Sequence, residues 1–303
     1  MKRTLLSTLF LGLILQCQAT LLVQETFDGL EGTGTLQGNG DSAASIGFEP
    51  STLWLGNANN TYAGTALMVA RNFNVDSAVT NAKPWQTFPG NDNRGGIWWN
   101  ASTWDTGVWA VRQLAAAAQL NLGVDRVYYF SFNMSYRNDD SLGFGFATGE
   151  ADTSQFISVG PNWNTTSFNG NQSAKRLAVA YGTLNVGQGV SGANAWSTAQ
   201  VVNNLNYVVL VKITARAAAN DTIQAAFFHT SRAGYGILPA NEAQVSWDIT
   251  HDFADSNVYT HLLAFINGGS SFANLDSFHM GTAYRDAVQI EPLITTQPVP
   301  SPA

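Results

Sequence analysis

Along most of this chain the character of the side chains changes every second residue. A period of two belongs to an extended strand, not to a helix. In residues 127–134, Tyr128, Phe130, Phe132 and Met134 fall on one face. In residues 142–147, Phe144 and Phe146 face one way and Gly143 and Gly145 the other. Residues 207–214 are apolar and β-branched with Lys212 as the only charge, and further strands are expected over 223–228, 245–249, 259–266 and 275–280. Turn formers lie between these runs, at 91–96, Asn169-Gly170-Asn171, 185–192, Ala219-Asn220-Asp221 and Asn267-Gly268-Gly269. Helical periodicity is nearly absent; residues 111–120, around the alanine run 115–118, predict one short surface helix. Many strands joined by Gly/Asn-rich turns predict an all-β fold of antiparallel sheets, a sandwich or a barrel. Neither a linker nor a repeat interrupts residues 20–290, so a single domain is expected over 20–291.

The N-terminus sets the expected compartment. Lys2 and Arg3 precede an apolar run over 5–15, and Cys17-Gln18-Ala19 ends in a small residue. That is the pattern of a secretory signal peptide, residues 1–19, cleaved after Ala19. Its apolar run is too short to span a bilayer, so no transmembrane segment is expected in the mature chain, which would be extracellular or periplasmic. Cys17 also raises lipid attachment, against which Gln16 argues, being larger than the residue that usually precedes a lipidated cysteine. Cys17 is the only cysteine, so the mature chain forms no disulfide and depends on its core. Residues 292–303 are Pro-rich and are expected to form a disordered tail.

Without Lys2 and Arg3 the mature chain carries 12 cations against 21 anions. Such a balance disfavours nucleic acid and anionic membranes, which both require basic patches. Charged residues are 12% of the chain, so the polar surface falls to Asn, Ser, Thr and Gln, groups that suit neutral polymers such as glycans.

Catalytic machinery is not legible. Two carboxylates on one strand face, in an E-x-D-x-E string, are what a retaining glycanase of this fold class requires. The nearest approximations are Glu150 with Asp152 and Asp139 with Asp140, all beside turn formers. Asp248, Asp252 and Asp255 with His251 are denser, but Asp248 ends an expected strand and the others read as exposed loop. His229, His251, His261 and His279 show no metal-ligand spacing, and neither a G-x-S-x-G elbow nor a phosphate loop is present. The binding signal is aromatic. Trp98, Trp99, Trp104 and Trp109 crowd twelve residues that also hold Asn100, Ser102 and Asp105, and Trp163 stands between Asn162 and Asn164. Indoles stack on the apolar faces of sugars while neighbouring amides and carboxylates take the hydroxyls. Trp98, Trp99, Trp104, Asp105 and Trp163 are therefore the candidate ligand-binding residues. Tryptophan is also commonly buried, and on a strand the adjacent Trp98 and Trp99 point to opposite faces.

Several blocks, taken in order, carry a family resemblance: Glu25-Thr26-Phe27-Asp28-Gly29; Val127-Tyr128-Tyr129-Phe130-Ser131-Phe132; Tyr207 to Ile213 followed by Asn220-Asp221-Thr222-Ile223; and Leu275 to Thr282 followed by Tyr284-Arg285-Asp286-Ala287-Val288. Together they resemble the concanavalin A-like, laminin G-like jelly-roll proteins, of the exported bacterial type associated with a PEP-CTERM sorting signal. The end Val299-Pro300-Ser301-Pro302 resembles the start of that signal; no anchor helix follows it, which favours release or periplasmic residence. The resemblance implies a jelly-roll β-sandwich and a structural Ca2+ between the first and last strands, with Asp28, Asp276 and Asp286 as its ligands. The alternative for these three is ordinary turn and strand-end aspartates. The implied function is non-catalytic binding of a polysaccharide or cell-surface glycan, with a structural matrix protein and a diverged hydrolase or lyase as the rivals.

Overall fold

The computed structural model describes residues 20–27, 45–56, 67–70, 97–99, 107–136, 141–151, 153–162, 176–184, 194–202, 205–229, 238–267 and 274–288. Its strands, in chain order, begin with β1 (Leu21–Glu25), β2 (Leu55–Gly56), β3 (Leu67–Ala70) and β4 (Ile97–Trp99). Next come β5 (Gly107–Gln113), β6 (Leu120–Asn121), β7 (Arg126–Tyr136), β8 (Ser141–Ala147) and β9 (Gln155–Asn162). Then follow β10 (Arg176–Thr183), β11 (Ala195–Gln200), β12 (Leu205–Ala215), β13 (Asp221–Phe228) and β14 (Ile249–Phe253). The last are β15 (Val258–Tyr259), β16 (His261–Asn267) and β17 (Asn274–Gly281), closed by a short helix, α1 (Tyr284–Val288).

Two antiparallel sheets result. The first runs β14-β13-β12-β7-β17-β4-β3, with β1 also paired to β17. The second runs β11-β10-β9-β8-β16-β5-β2, and β15 and β6 form a small separate pair. The first sheet is anchored on β7 and β12, which pair continuously from Tyr136 opposite Leu205 to Arg126 opposite Ala215. Alternation does what the pattern predicts: Tyr128, Phe130, Phe132 and Met134 enter one core with Leu142, Phe144 and Phe146 of the facing sheet. Rings meet across the gap, Phe132 to Phe144 at 5.3 Å and Phe130 to Phe146 at 5.5 Å, and Phe278 of β17 lies 5.2 Å from Phe144. An ion pair also bridges the sheets, Arg112 of β5 with Glu25 of β1 at 3.2 Å, both side chains fully buried. The antiparallel sandwich expected from the pattern is therefore the fold.

The glycines of β8 and β9 are a packing requirement. A Cβ on Gly160 would stand 1.8 Å from the carbonyl oxygen of Leu142, and one on Gly143 2.1 Å from that of Val159. Only a residue without a side chain lets these two backbones approach so closely.

Three expectations are corrected. Residues 111–120 are not a helix: Val111 to Gln113 complete β5, paired with β16, and the alanine run makes one 3-10 turn, Ala116–Ala118, before β6. A lone turn of small residues is too short to sustain a helix when strand pairing is on offer for its neighbours. The strand expected over 245–249 begins only at Ile249 and runs to Phe253, paired with Asp221 to Ala225 of β13. Ile249 and Phe253 are its buried residues, so His251 and Asp252 belong to a strand, not to an exposed loop. The block 284–288, which in the family resemblance runs on from the last strand, forms α1 instead. The carboxylate of Asp286 accepts the Ala283 N–H at 2.9 Å and caps the helix, while Tyr284, Ala287 and Val288 bury against Tyr129, Val208 and Leu210 on the outer face of the first sheet. No helix among the described residues is long and apolar enough to cross a membrane.

Candidate functional site

The outer face of the first sheet is half apolar and half polar. Its apolar half lies under α1 and under Leu238, Val245 and Trp247. A latch holds that cover: Glu242 accepts hydrogen bonds from Lys212 and from the Tyr129 hydroxyl, whose pKa is raised by burial and by the Glu242 carboxylate. The polar half lies further along the same strands.

Register assembles that polar half. Position 98 of β4 stands opposite 274 of β17, 274 opposite 135 of β7, and 135 opposite 206 of β12. Positions directly opposite in antiparallel strands share a face. Positions 98, 274, 135 and 206 therefore fall in one line across four strands, about 14 Å from end to end at the usual strand spacing. In the next row Asp276 stands opposite Asn133. Asn133 is 6% exposed and Asp276 1%, and the amide Nδ2 of Asn133 has no hydrogen-bond partner among the described residues.

A bulge shapes this corner. The pairing of β17 with β7 slips between Asp276 and His279, and Ser277 takes a positive φ of 52°. A non-glycine residue in this region is strained, and such bulges re-aim side chains and split a strand's pairing. Before the bulge β17 pairs with β4; after it, β17 pairs with β1. The Ser277 N–H donates to the Asp276 carboxylate at 2.6 Å, and the Ser131 hydroxyl donates to the Ala287 carbonyl. His279, across from Ser131, is fully buried, and burial drives its imidazole pKa down to about 4. A histidine neutral in the fold but protonated in the open chain leaves stability intact above its ordinary pKa near 6.5; the stability is then lost as pH falls from there toward 4. The expected loss is about 1.4 kcal/mol per unit over that interval. Urea unfolding at pH 7 and pH 4.5 should show a steeper decline in the parent chain than in His279→Gln, and equal slopes would contradict the assignment.

The described residues place two of the candidate ligand residues, Trp98 and Trp99, on β4. Ile97 pairs with the core residue Leu275, so positions 97 and 99 are core-face positions and 98 is the outer one. Position 98 thus lies on the strand next to Asp276, two positions along in register. Trp109 is on the other sheet from Trp98 and Trp99, buried beside Val111, Leu263 and Phe265. Trp104, Asp105, Trp163 and Asp28 lie outside the described residues. Asp286 is engaged as the α1 cap, and the described residues contain no group of three or more His, Cys, Asp or Glu arranged to hold a metal. The acidic run also disperses: Asp248 accepts the Phe227 N–H, Asp252 the Thr222 hydroxyl and Asp255 the Tyr259 hydroxyl. Asn133, Ser135, Asn206 and Asn274 were not singled out by motif. Their signal was the polar face of the same alternation whose apolar face marked the core.

These pairings define an antiparallel β-sandwich. No protein-family model and no curated protein sequence matches the chain. Among solved structures it is similar in fold to the calreticulin globular domain of T. cruzi, at 10% identity over 89% of this chain and 91% of that one, with a TM-score of 0.45. It is similar also to a legume lectin-like domain from Entamoeba histolytica, at 11% identity over 60% and 82% with a TM-score of 0.34. A GH43 glycoside hydrolase is similar at 13% identity over 61% of this chain and 34% of that one, with a TM-score of 0.35.

Proposed function

We propose that this chain is an exported, non-catalytic sandwich that binds a neutral glycan on the outer face of its first sheet. The observation that carries the reading is the register that sets Trp98 in one row with Asn274, Ser135 and Asn206, next to Asn133 and Asp276. Sugars present an apolar C–H face and a rim of hydroxyls. An indole matches the first, and amides, a hydroxyl and a carboxylate match the second. A buried amide donor without a partner carries a desolvation penalty of about 1–3 kcal/mol, which a ligand hydroxyl on Asn133 Nδ2 would relieve. The acidic, lysine-poor composition supports a neutral ligand over an anionic one.

The test is a pull-down on insoluble polysaccharides with a glycan array, using the parent chain, Trp98→Ala and Trp99→Ala, each with and without EDTA. Trp98→Ala is expected to weaken binding about thirtyfold, the ~2 kcal/mol of an aromatic anchor, without lowering the melting temperature. Trp99→Ala, at a core-face position, is expected to lower the melting temperature instead. Equal loss in both variants would contradict the face assignment. Failure of the parent chain to bind any polymer would leave a structural role as the better reading. Loss on EDTA alone would return the weight to calcium.

A further inference from the structure

Residues 238–248 lie on the outer face of the first sheet without forming a strand of it. Leu238, Val245 and Trp247 pack down onto a strip that includes Val208, Leu210, Ala226 and Phe228, all buried. The backbone bonds of 241–245 are made within the segment. The Gln244 N–H donates to the Asn241 carbonyl at 3.2 Å, and the Val245 N–H to the Glu242 carbonyl at 2.9 Å. The segment meets the sheet at its end, where the Asp248 N–H donates to the Ala225 carbonyl at 2.9 Å and the Asp248 carboxylate accepts the Phe227 N–H at 3.2 Å. Beneath it β12 and β13 pair with each other, from Val208 opposite Phe228 to Thr214 opposite Thr222. That ladder does not run through 238–247, so the segment can lift with both strands intact. Units bonded mainly to themselves open at lower free energy than the core beneath them.

Polar contacts fasten its middle. Glu242 accepts from Lys212 Nζ of β12 and from the Tyr129 hydroxyl of β7, and the Tyr284 hydroxyl of α1 donates to the Pro239 carbonyl at 2.7 Å. Among the described residues, the charged and titratable groups facing Glu242 are Lys212 from β12, Tyr129 from β7 and Tyr284 from α1. From β13 the strip receives Ala226 and Phe228, which carry no charge. Asp248 is engaged at the Phe227 N–H and Asp286 at the Ala283 N–H. Burial raises the Glu242 carboxyl, but hydrogen bonds from Lys212 and Tyr129 and the ammonium charge outweigh it and hold the group below its ordinary value. Burial raises both tyrosine hydroxyls, which therefore keep their protons at neutral pH and below. Glu242 is thus the member of this group that changes charge between neutral pH and acid.

We propose that 238–248 is an acid-opened strap, held shut by the Glu242 carboxylate and uncovering the strip of Val208, Leu210, Ala226 and Phe228 when that carboxylate takes a proton. A neutral carboxyl has no charge to offer the ammonium, and the partly buried Lys212 is left without its counter-charge. The sign follows from the depressed carboxyl. Closure is fully favoured above the ordinary carboxylate range and is lost as pH falls through the depressed value. The helix α1 keeps its own tie to β7, the Ser131 hydroxyl on the Ala287 carbonyl, which does not pass through Glu242. Opening therefore adds an apolar face beside the polar half of the same sheet. It does not depend on glycan binding there.

The chain from residue 20 onward contains no cysteine, so a single added thiol reports on opening. Ala226 belongs to the strip under the strap, and its neighbour Ala225 to the core between the sheets; both are fully buried. Ala226→Cys and Ala225→Cys, each with and without Glu242→Gln, are labelled with 4,4′-dithiodipyridine at pH 7 and pH 3.5. Ala226→Cys is expected to react at least about a hundredfold faster than Ala225→Cys, because lifting the strap costs less than unfolding the core. At pH 7 Glu242→Gln should speed labelling of Ala226→Cys about tenfold, the usual effect of losing a hydrogen bond to a charged group. At pH 3.5 that advantage should narrow to about threefold or less, because the parent carboxyl is then losing its charge. Exchange of the Val245 amide in chains without an added cysteine should show the same Glu242→Gln effect, and covers the case in which a new thiol disturbs packing. Equal rates for the two thiols would show that this face opens only on global unfolding, and would overturn the strap. A Glu242→Gln chain that labels no faster at pH 7, or that stays tenfold faster at pH 3.5, would remove Glu242 as the latch and overturn the acid response.

Discussion

Arg112→Ala is expected to destabilise the protein by about 3–5 kcal/mol, the usual result of removing one partner from a buried ion pair. Arg112 belongs to β5 of the second sheet and Glu25 to β1 of the first, and both face the core. The Glu25 carboxylate accepts from Arg112 at 3.2 Å, from the Ser45 hydroxyl at 2.8 Å and from the Phe27 N–H at 2.9 Å. The guanidinium carbon also lies 4.1 Å from the centroid of the Phe48 ring, so the side chain is held on its flat face as well. Deleting it takes a charged partner from a carboxylate held in a dry interior. Replacing both partners, as Arg112→Met with Glu25→Met, removes the charge along with its partner and is expected to recover most of the loss. Urea unfolding at pH 7 on the two single variants and the double variant measures this. A single variant within about 1 kcal/mol of the parent chain would mean that the pair is screened by water, contrary to its burial.

Phe144→Ala is expected to remove about 3–5 kcal/mol by a different route. Phe144 is fully buried at the middle of the sandwich and touches three rings, Phe278 at 5.2 Å, Phe132 at 5.3 Å and Phe27 at 6.1 Å. Those rings come from β17, β7 and the end of β1, so the cavity left by alanine would open where three strands of the first sheet meet one of the second. Neighbours fixed by sheet pairing cannot collapse into such a void, and the loss should lie in the upper part of the range. Phe144→Leu is expected to lose clearly less, and Val202→Ala, at an exposed position, no more than about 0.5 kcal/mol. Comparable midpoints for Phe144→Ala and Val202→Ala would show that this ring cluster does not hold the sheets together.

Legibility varied along the chain for physical reasons. β7 and β8 were readable because each buries one apolar row and carries a contrasting row opposite, so the alternation is visible in the letters alone. β9 and β10 were not. Phe156 and Ala180 are buried on the outer face of the second sheet while Ile157, Val159, Leu177 and Val179 are buried on the inner one. A strand apolar on both faces loses its period. β14 was placed several residues early because Val245 and Trp247 are apolar, yet they pack onto the first sheet's outer face as part of its cover rather than within a strand. For the site, the sequence could state only that Trp98 and Trp99 point to opposite faces; the pairing of Ile97 with Leu275 decided which of them is outermost.

By itself the sequence determined the class of this protein. A period of two, turn formers at intervals and a cysteine-poor, lysine-poor composition leave an antiparallel sandwich that is net acidic, because these are local consequences of side-chain direction, backbone preference and composition. The tertiary structure alone decided which distant residues stand together. The Asp276–Ser277 bulge depends on β17 being shared among β7, β4 and β1. The strap depends on Tyr129, Lys212 and Glu242 meeting in space. Such positions are set by long-range register, which no local stretch of sequence specifies.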